Sequence, residues 1–111
     1  MNILTREHPT PEMLCKFVTR YYGCYQGAYL CGKASEILTF LLGMAGYPAR
    51  KVAVQINNTG HIFVRCGALY IDPTIKQFGD YQEISTVYPL PYVNNSEAAP
   101  DAMQQPPTRS I

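Results

Sequence analysis

Three residues of this sequence carry side chains that together could serve as a nucleophile, a base and an orienting group. Cys31 carries a thiol, His61 an imidazole and Asp72 a carboxylate. A thiol becomes a strong nucleophile when a nearby base removes its proton, and a third group can hold that base in place. The three residues therefore predict a Cys-His-Asp triad that attacks a carbonyl carbon.

Cys31 stands at the predicted start of an apolar helix. Apolar residues recur at helical spacing from Ala34 to Ala45, and Gly46 with Pro48 ends the pattern. The N-terminus of a helix has free backbone N–H groups and the positive end of the helix dipole, which favours a thiolate by about 0.3–1 kcal/mol. The same N–H groups can hold a tetrahedral oxyanion.

The base and its orienting group fall on predicted strands. Residues 52–56 alternate between apolar and polar, residues 57–60 read as a turn, and residues 61–66 and 69–72 read as two further strands. If Gly67 and Ala68 form a two-residue connection, Phe63 lies opposite Asp72. His61 then lies diagonal to Asp72 on the same face, about 7–8 Å away at Cα level. A slip of one residue would separate them onto opposite faces.

Each of the three residues also has a structural interpretation. Cys31 can be an inert small hydrophobic residue, His61 a half-exposed strand residue, and Asp72 a turn residue before Pro73. Their joint occurrence in this order favours the catalytic interpretation. Because both faces of the sheet carry large side chains, we expect both to be covered, with the first helix on one of them. The sequence does not determine which helix packs where.

The rest of the chain completes a single small domain. Thr10 and Pro11 predict the start of a helix that stops at Gly23, and residues 23–30 read as a loop. Residues 81–88 predict a fourth strand. We expect residues 1–93 to form one compact domain and residues 94–111 to form a flexible polar tail.

The amino-acid composition gives no support for some classes of binding partner. The formal net charge is +1 and only 15% of residues are charged, which gives no electrostatic case for nucleic acid or an anionic membrane. No apolar run approaches the ~20 residues of a membrane span, and the N-terminus has no apolar signal-peptide core. We expect a cytoplasmic protein by default, with export by a signal-less route as the alternative.

Four cysteines allow two disulfides in three pairings, but neither a secretion signal nor a C-x-x-C pair is present, so we expect neither disulfides nor structural zinc.

The residues around this triad resemble the transglutaminase-like branch of the papain-like cysteine enzymes. That family has a cysteine at a helix start, Gly-Ile-Pro-Ala-Arg after that helix, a His-Ala-Phe/Trp-Val strand and an aromatic-x-Asp-Pro-Thr segment. Residues 31–34 are Cys-Gly-Lys-Ala, residues 46–50 are Gly-Tyr-Pro-Ala-Arg, residues 61–64 are His-Ile-Phe-Val and residues 70–74 are Tyr-Ile-Asp-Pro-Thr. The resemblance covers about two fifths of the chain. Of the cysteines, it selects Cys31 over Cys24, because only Cys31 lies fifteen residues before Gly46.

The resemblance implies a fold and a set of roles. The fold would be an α+β, papain-like transglutaminase core, in which the helix bearing the cysteine packs on a small antiparallel sheet. Cys31 would attack a carboxamide or peptide carbonyl, His61 would move the proton, and Asp72 would orient the imidazolium. Gln26 resembles the glutamine that completes the oxyanion hole of papain-like proteases, although it stands one residue closer to the cysteine.

The resemblance leaves the reaction open. Water as acyl acceptor would give a cysteine protease or a glutamine deamidase, an amine would give a transglutaminase, and a non-catalytic binding module on the same fold is a further alternative. We expect hydrolysis of a protein or peptide substrate, because a small domain has little surface for two protein substrates at once. Compact relatives are often bacterial effectors or toxins. No acidic cluster suggests calcium, so we expect no metal or cofactor.

Overall fold

The computed structural model describes residues 8–92. The helices are α1 (Pro11–Tyr22) and α2 (Cys31–Met44), and a short 3-10 helix spans Ile75–Phe78; the strands are β1 (Cys24–Tyr25), β2 (Ala28–Tyr29), β3 (Arg50–Ile56), β4 (Thr59–Cys66), β5 (Leu69–Ile71) and β6 (Ile84–Ser85). Strands β1 and β2 form a small hairpin, and the main antiparallel sheet has the order β3-β4-β5-β6. The α+β class predicted from the sequence is confirmed. The predicted tail, residues 94–111, lies outside the described residues.

The helix boundaries follow the sequence signals. The hydroxyl of Thr10 accepts a hydrogen bond from the backbone N–H of Met13 at 3.1 Å, and Pro11 is the first residue of α1. Gly23 follows the last residue of α1, and Cys31 is the first residue of α2, as predicted. Among the described residues no helix is long and apolar enough to cross a membrane.

Two tight turns set the register of the main sheet. Asn57 and Asn58 both have positive φ, at 53° and 64°, so they alone form the turn between β3 and β4. Strand β4 consequently begins at Thr59, two residues before the predicted start. At the second turn, Cys66 pairs with Leu69 and Arg65 with Tyr70, which confirms the predicted register.

Both faces of the sheet are covered, but the two helices share one face. Their buried residues form one core with the sheet residues on that face: Cys15, Val18, Ala34, Leu38, Leu42, Val64, Cys66 and Ile71. The opposite face is covered by the chain after β5. That second core consists of Val52, Val54, Ile56, Phe63, Tyr70, Ile75 and Tyr92, with Phe78, Tyr81 and Tyr88 packed at its margin.

Two predicted segments have different structures. Residues 23–30, predicted as a loop, contain the β1–β2 hairpin, because Gln26 and Gly27 take positive φ values of 50° and 84° and close a two-residue turn. The predicted fourth strand, residues 81–88, is reduced to Ile84–Ser85. Its partner β5 has only three residues, and two of them, Tyr70 and Ile71, pair with β6.

Candidate active site

His61 of β4 and Asp72, the residue after β5, form a buried histidine–carboxylate pair. His61 is 2% exposed and Asp72 is 1% exposed, and His61 Nε2 lies 2.7 Å from Asp72 Oδ2. Asp72 follows Ile71, which pairs with Val64, so it continues the ladder to a place beside Phe63 and diagonal to His61. Because a carboxylate only accepts hydrogen bonds, Nε2 carries the proton. When the ring is neutral, Nδ1 is then the nitrogen that can accept another proton.

Four donors hold the Asp72 carboxylate. The backbone N–H and the hydroxyl of Thr74 donate to Oδ1 at 3.0 and 3.3 Å. The Tyr92 hydroxyl donates to Oδ2, the oxygen that also accepts from His61. All four hydrogen bonds end on the two carboxylate oxygens, so they fix the orientation of Asp72 relative to His61.

Three of these four donors belong to Thr74 and Tyr92, which are not among the site residues predicted from the sequence. Thr74 stands in the Asp-Pro-Thr segment, where an aspartate that accepts from a backbone N–H two residues later forms a local turn. That signal was available in the sequence. Tyr92 is twenty residues from Asp72 and carries no local signal, because only the path of the chain across the sheet brings it there.

Aromatic rings shield the imidazole. The ring of Phe78 meets that of His61 edge-on at a centroid distance of 4.9 Å, and the ring of Tyr92 lies 6.0 Å away. Tyr92 in turn stacks on Phe63 at 4.5 Å. The histidine–carboxylate hydrogen bond is therefore screened from water, which strengthens its electrostatic interaction.

Cys31 is the first residue of α2, a helix that contacts the strand carrying His61 through Ser35. One turn further along the helix, the hydroxyl of Ser35 donates to the backbone carbonyl of Ile62 at 3.1 Å, and Ile62 directly follows His61 in β4. The four residues from Cys31 to Ser35 rise about 6 Å along the helix axis. The second turn of α2 therefore contacts β4 at the residue that follows His61.

Ser35 contacts β4 at the edge of the strand and not at its face. Strand β5 pairs with β4 only from Val64 to Cys66, so β5 leaves the edge of β4 at Ile62 uncovered and Ser35 reaches it. Cys31 itself is partly exposed. The structure thus brings His61 and Asp72 into contact, and it shows no hydrogen bond between Cys31 and His61 among the residues it describes.

Gln26 lies at the tip of the β1–β2 hairpin. Its side chain is exposed and its φ is 50°, a value that the two-residue turn requires. Across residues 8–92 the structure shows no hydrogen bond that joins Gln26 to Cys31, His61 or Asp72. A role for Gln26 in an oxyanion hole stays a prediction.

The four thiols differ in accessibility. All four are free: Cys15 and Cys66 are buried, Cys31 is intermediate and Cys24 is exposed. Burial raises the pKa of Cys15 from 9.0 to about 12 and also raises the pKa of Cys66. Cys24 and Cys31 are therefore the thiols open to reagents in the folded protein.

Within residues 8–92, no group of three or more His, Cys, Asp or Glu side chains is arranged to hold a metal ion.

Comparison of the chain with protein-family models, with curated proteins and with solved structures found no match. A role for this site therefore rests on its own residues and on the chemistry they can perform.

Proposed function

We propose that this protein is a thiol-dependent amide hydrolase with a papain-like core. Cys31 is the nucleophile, His61 the base and Asp72 the carboxylate that orients the imidazole. The substrates are proteins or peptides, cleaved as by a protease or deamidated at glutamine. The observation that supports this best is the buried His61–Asp72 hydrogen bond of 2.7 Å, which leaves Nδ1 as the proton acceptor.

The proposed reaction proceeds in two halves. His61 Nδ1 takes the proton of the Cys31 thiol while sulfur bonds to the carbonyl carbon, and free N–H groups at the start of α2 hold the oxyanion. The imidazolium then gives its proton to the departing amine or ammonia, leaving a thioester on Cys31. Water attacks the thioester carbon, its proton passes to His61, and this proton returns to the leaving thiolate.

A purely structural explanation accounts poorly for the buried pair. A buried carboxylate is costly to remove from water even when it is hydrogen-bonded, so a buried histidine–carboxylate pair is a weak device for stability. Here the sheet face around His61 and Asp72 is already rich in aromatic and branched side chains. Four hydrogen bonds on one carboxylate are what a site requires when it must hold an imidazole in one tautomer.

Thiol labelling tests the nucleophile. In the folded protein near neutral pH, iodoacetamide should label Cys31 much faster than Cys24, and His61→Ala should remove this difference. Cys24 is the internal reference, because it is exposed and lies in the neighbouring hairpin. Equal labelling of the two thiols, unchanged by His61→Ala, would contradict an activated nucleophile and favour a non-catalytic binding module.

A lysate experiment tests the reaction. Wild type and Cys31→Ala would each be incubated with a cell lysate, with Cys24→Ala as the matched control, and the peptides compared by mass spectrometry. New chain termini would indicate a protease, and glutamine converted to glutamate a deamidase. Glutamine–lysine crosslinks would instead indicate transamidation, and any of the three changes must vanish in Cys31→Ala but persist in Cys24→Ala.

A further inference from the structure

Tyr92 touches both members of the buried pair. It is 5% exposed, and its hydroxyl donates to the same Asp72 oxygen that accepts from His61 Nε2. Its ring lies 6.0 Å from that of His61 and stacks on Phe63 at 4.5 Å with an angle of 20° between the planes. The residue therefore combines a polar contact with the carboxylate and an apolar contact beside the imidazole.

The hydroxyl of Tyr92 is a neutral donor in this position. Burial is the main cause that raises its pKa, and the neighbouring Asp72 raises it further. A group that keeps its proton at every physiological pH gives the carboxylate a permanent hydrogen bond. With Thr74 on the other oxygen, it fixes the carboxylate from both sides and leaves it no freedom to turn away from His61.

We propose that Tyr92 is a positioning residue of this site. Its hydroxyl fixes the Asp72 oxygen that receives His61 Nε2–H, and its ring keeps water from that hydrogen bond. The catalytic meaning of this role rests on the function proposed above. The contacts themselves are independent of Cys31, so they can be tested separately.

The chain is suited to nuclear magnetic resonance, because it contains only two histidines, His8 and His61. In the full chain with labelled histidine, His61→Gln identifies the His61 ring N–H resonance. Two variants separate the two parts of the proposal: Tyr92→Phe removes the hydroxyl and keeps the ring, and Tyr92→Leu removes both. Tyr47→Phe is the matched control, because its hydroxyl donates to the Pro9 carbonyl at 2.8 Å in a partly buried place on the other side of the domain.

We expect Tyr92→Phe to move the His61 Nε2–H resonance downfield, because Oδ2 then accepts from His61 alone. Tyr92→Leu should speed exchange of this proton with water by about tenfold or more, since the shielding ring is lost, and Tyr47→Phe should change neither quantity. A resonance in Tyr92→Phe that does not move relative to Tyr47→Phe would overturn the role of the hydroxyl. Tyr92→Phe decides this question even if Tyr92→Leu fails to fold.

One further variant separates this proposal from the proposed function. Cys31→Ala should leave the His61 resonance and its response to Tyr92→Phe unchanged. If Cys31 labelling shows no activation while Tyr92→Phe still moves the resonance, the hydrolase proposal fails and Tyr92 still positions the pair. If Cys31 is activated and Tyr92→Phe moves nothing, only the role of Tyr92 fails.

Discussion

Replacing Asp72 by asparagine should trap His61 in the wrong tautomer. The carboxylate accepts from four donors, whereas an asparagine side chain has one oxygen and one NH2 group. The backbone N–H of Thr74 cannot be reversed, so the amide oxygen must face Thr74 and the NH2 group must face His61 and Tyr92. The tyrosine hydroxyl can rotate to accept, but His61 can accept at Nε2 only if its proton moves to Nδ1.

The consequence for chemistry is larger than the consequence for stability. With Nδ1 protonated, His61 could not take the thiol proton of Cys31 as we propose, and a wrong tautomer in a catalytic triad costs about 10⁴-fold in rate. Each hydrogen bond loses about 1 kcal/mol when its partner changes from charged to neutral. Relief from burying a carboxylate offsets part of this. We expect the free energy of unfolding to fall by roughly 1–3 kcal/mol, which leaves the domain folded.

Three measurements on Asp72→Asn check this reasoning. Histidine nitrogen shifts report the tautomer of His61, iodoacetamide labelling reports the reactivity of Cys31, and urea denaturation reports stability. Asp80→Asn is the matched control, since the Asp80 side chain is fully exposed. Its Oδ1 lies 3.8 Å from Lys76 Nζ. If Asp72→Asn retained a protonated Nε2 and the labelling rate of wild type, the role assigned to Asp72 would be refuted.

Three further predictions concern the scaffold. Burial raises the pKa of Cys15 from 9.0 to about 12, so between these pH values the thiol loses its proton when the protein unfolds. The free energy of unfolding should therefore fall as pH rises above 9, by up to about 1.4 kcal/mol per pH unit. Urea titrations of Cys15→Ala should show a smaller decrease with pH. Ser35→Ala should lower the free energy of unfolding by about 1 kcal/mol and reduce Cys31 labelling, because the contact with Ile62 is lost; an unchanged labelling rate would mean that this contact does not position Cys31. Thr10→Ala should cost about 1 kcal/mol through the lost helix cap, measured by thermal unfolding, without changing the labelling of Cys31.

The parts of the fold that the sequence predicts are those set by local chemistry. Thr10 and Pro11 mark the start of α1, and an apolar stripe that begins after Cys31 marks α2. The connection at Gly67 fixes the register of β4 against β5. Since side chains alternate along a strand, that register alone predicts the meeting of His61 with Asp72.

The parts that the sequence does not predict depend on contacts between distant segments. Both helices lie on one face because α1 packs against α2 and the sheet through Cys15 and Val18. The spacing of apolar residues along a helix does not predict which face of the sheet the helix covers. The other face is covered by the chain after Asp72, which places Tyr92 over the pair. Hydrophobic periodicity indicates which side of a helix or strand is apolar, but it does not indicate which other element packs against that side.

The early end of β5 affects both the histidine–carboxylate pair and the contact of α2 with β4. Pro73 has no backbone N–H and cannot extend the ladder, so the chain turns after Asp72 and Thr74 folds back to hold its carboxylate. The same early end leaves the edge of β4 at Ile62 open to Ser35 of α2. A longer β5 would pair along that edge and exclude Ser35 from it. The Asp-Pro-Thr segment therefore fixes the carboxylate beside His61 and also leaves the edge of β4 open to α2.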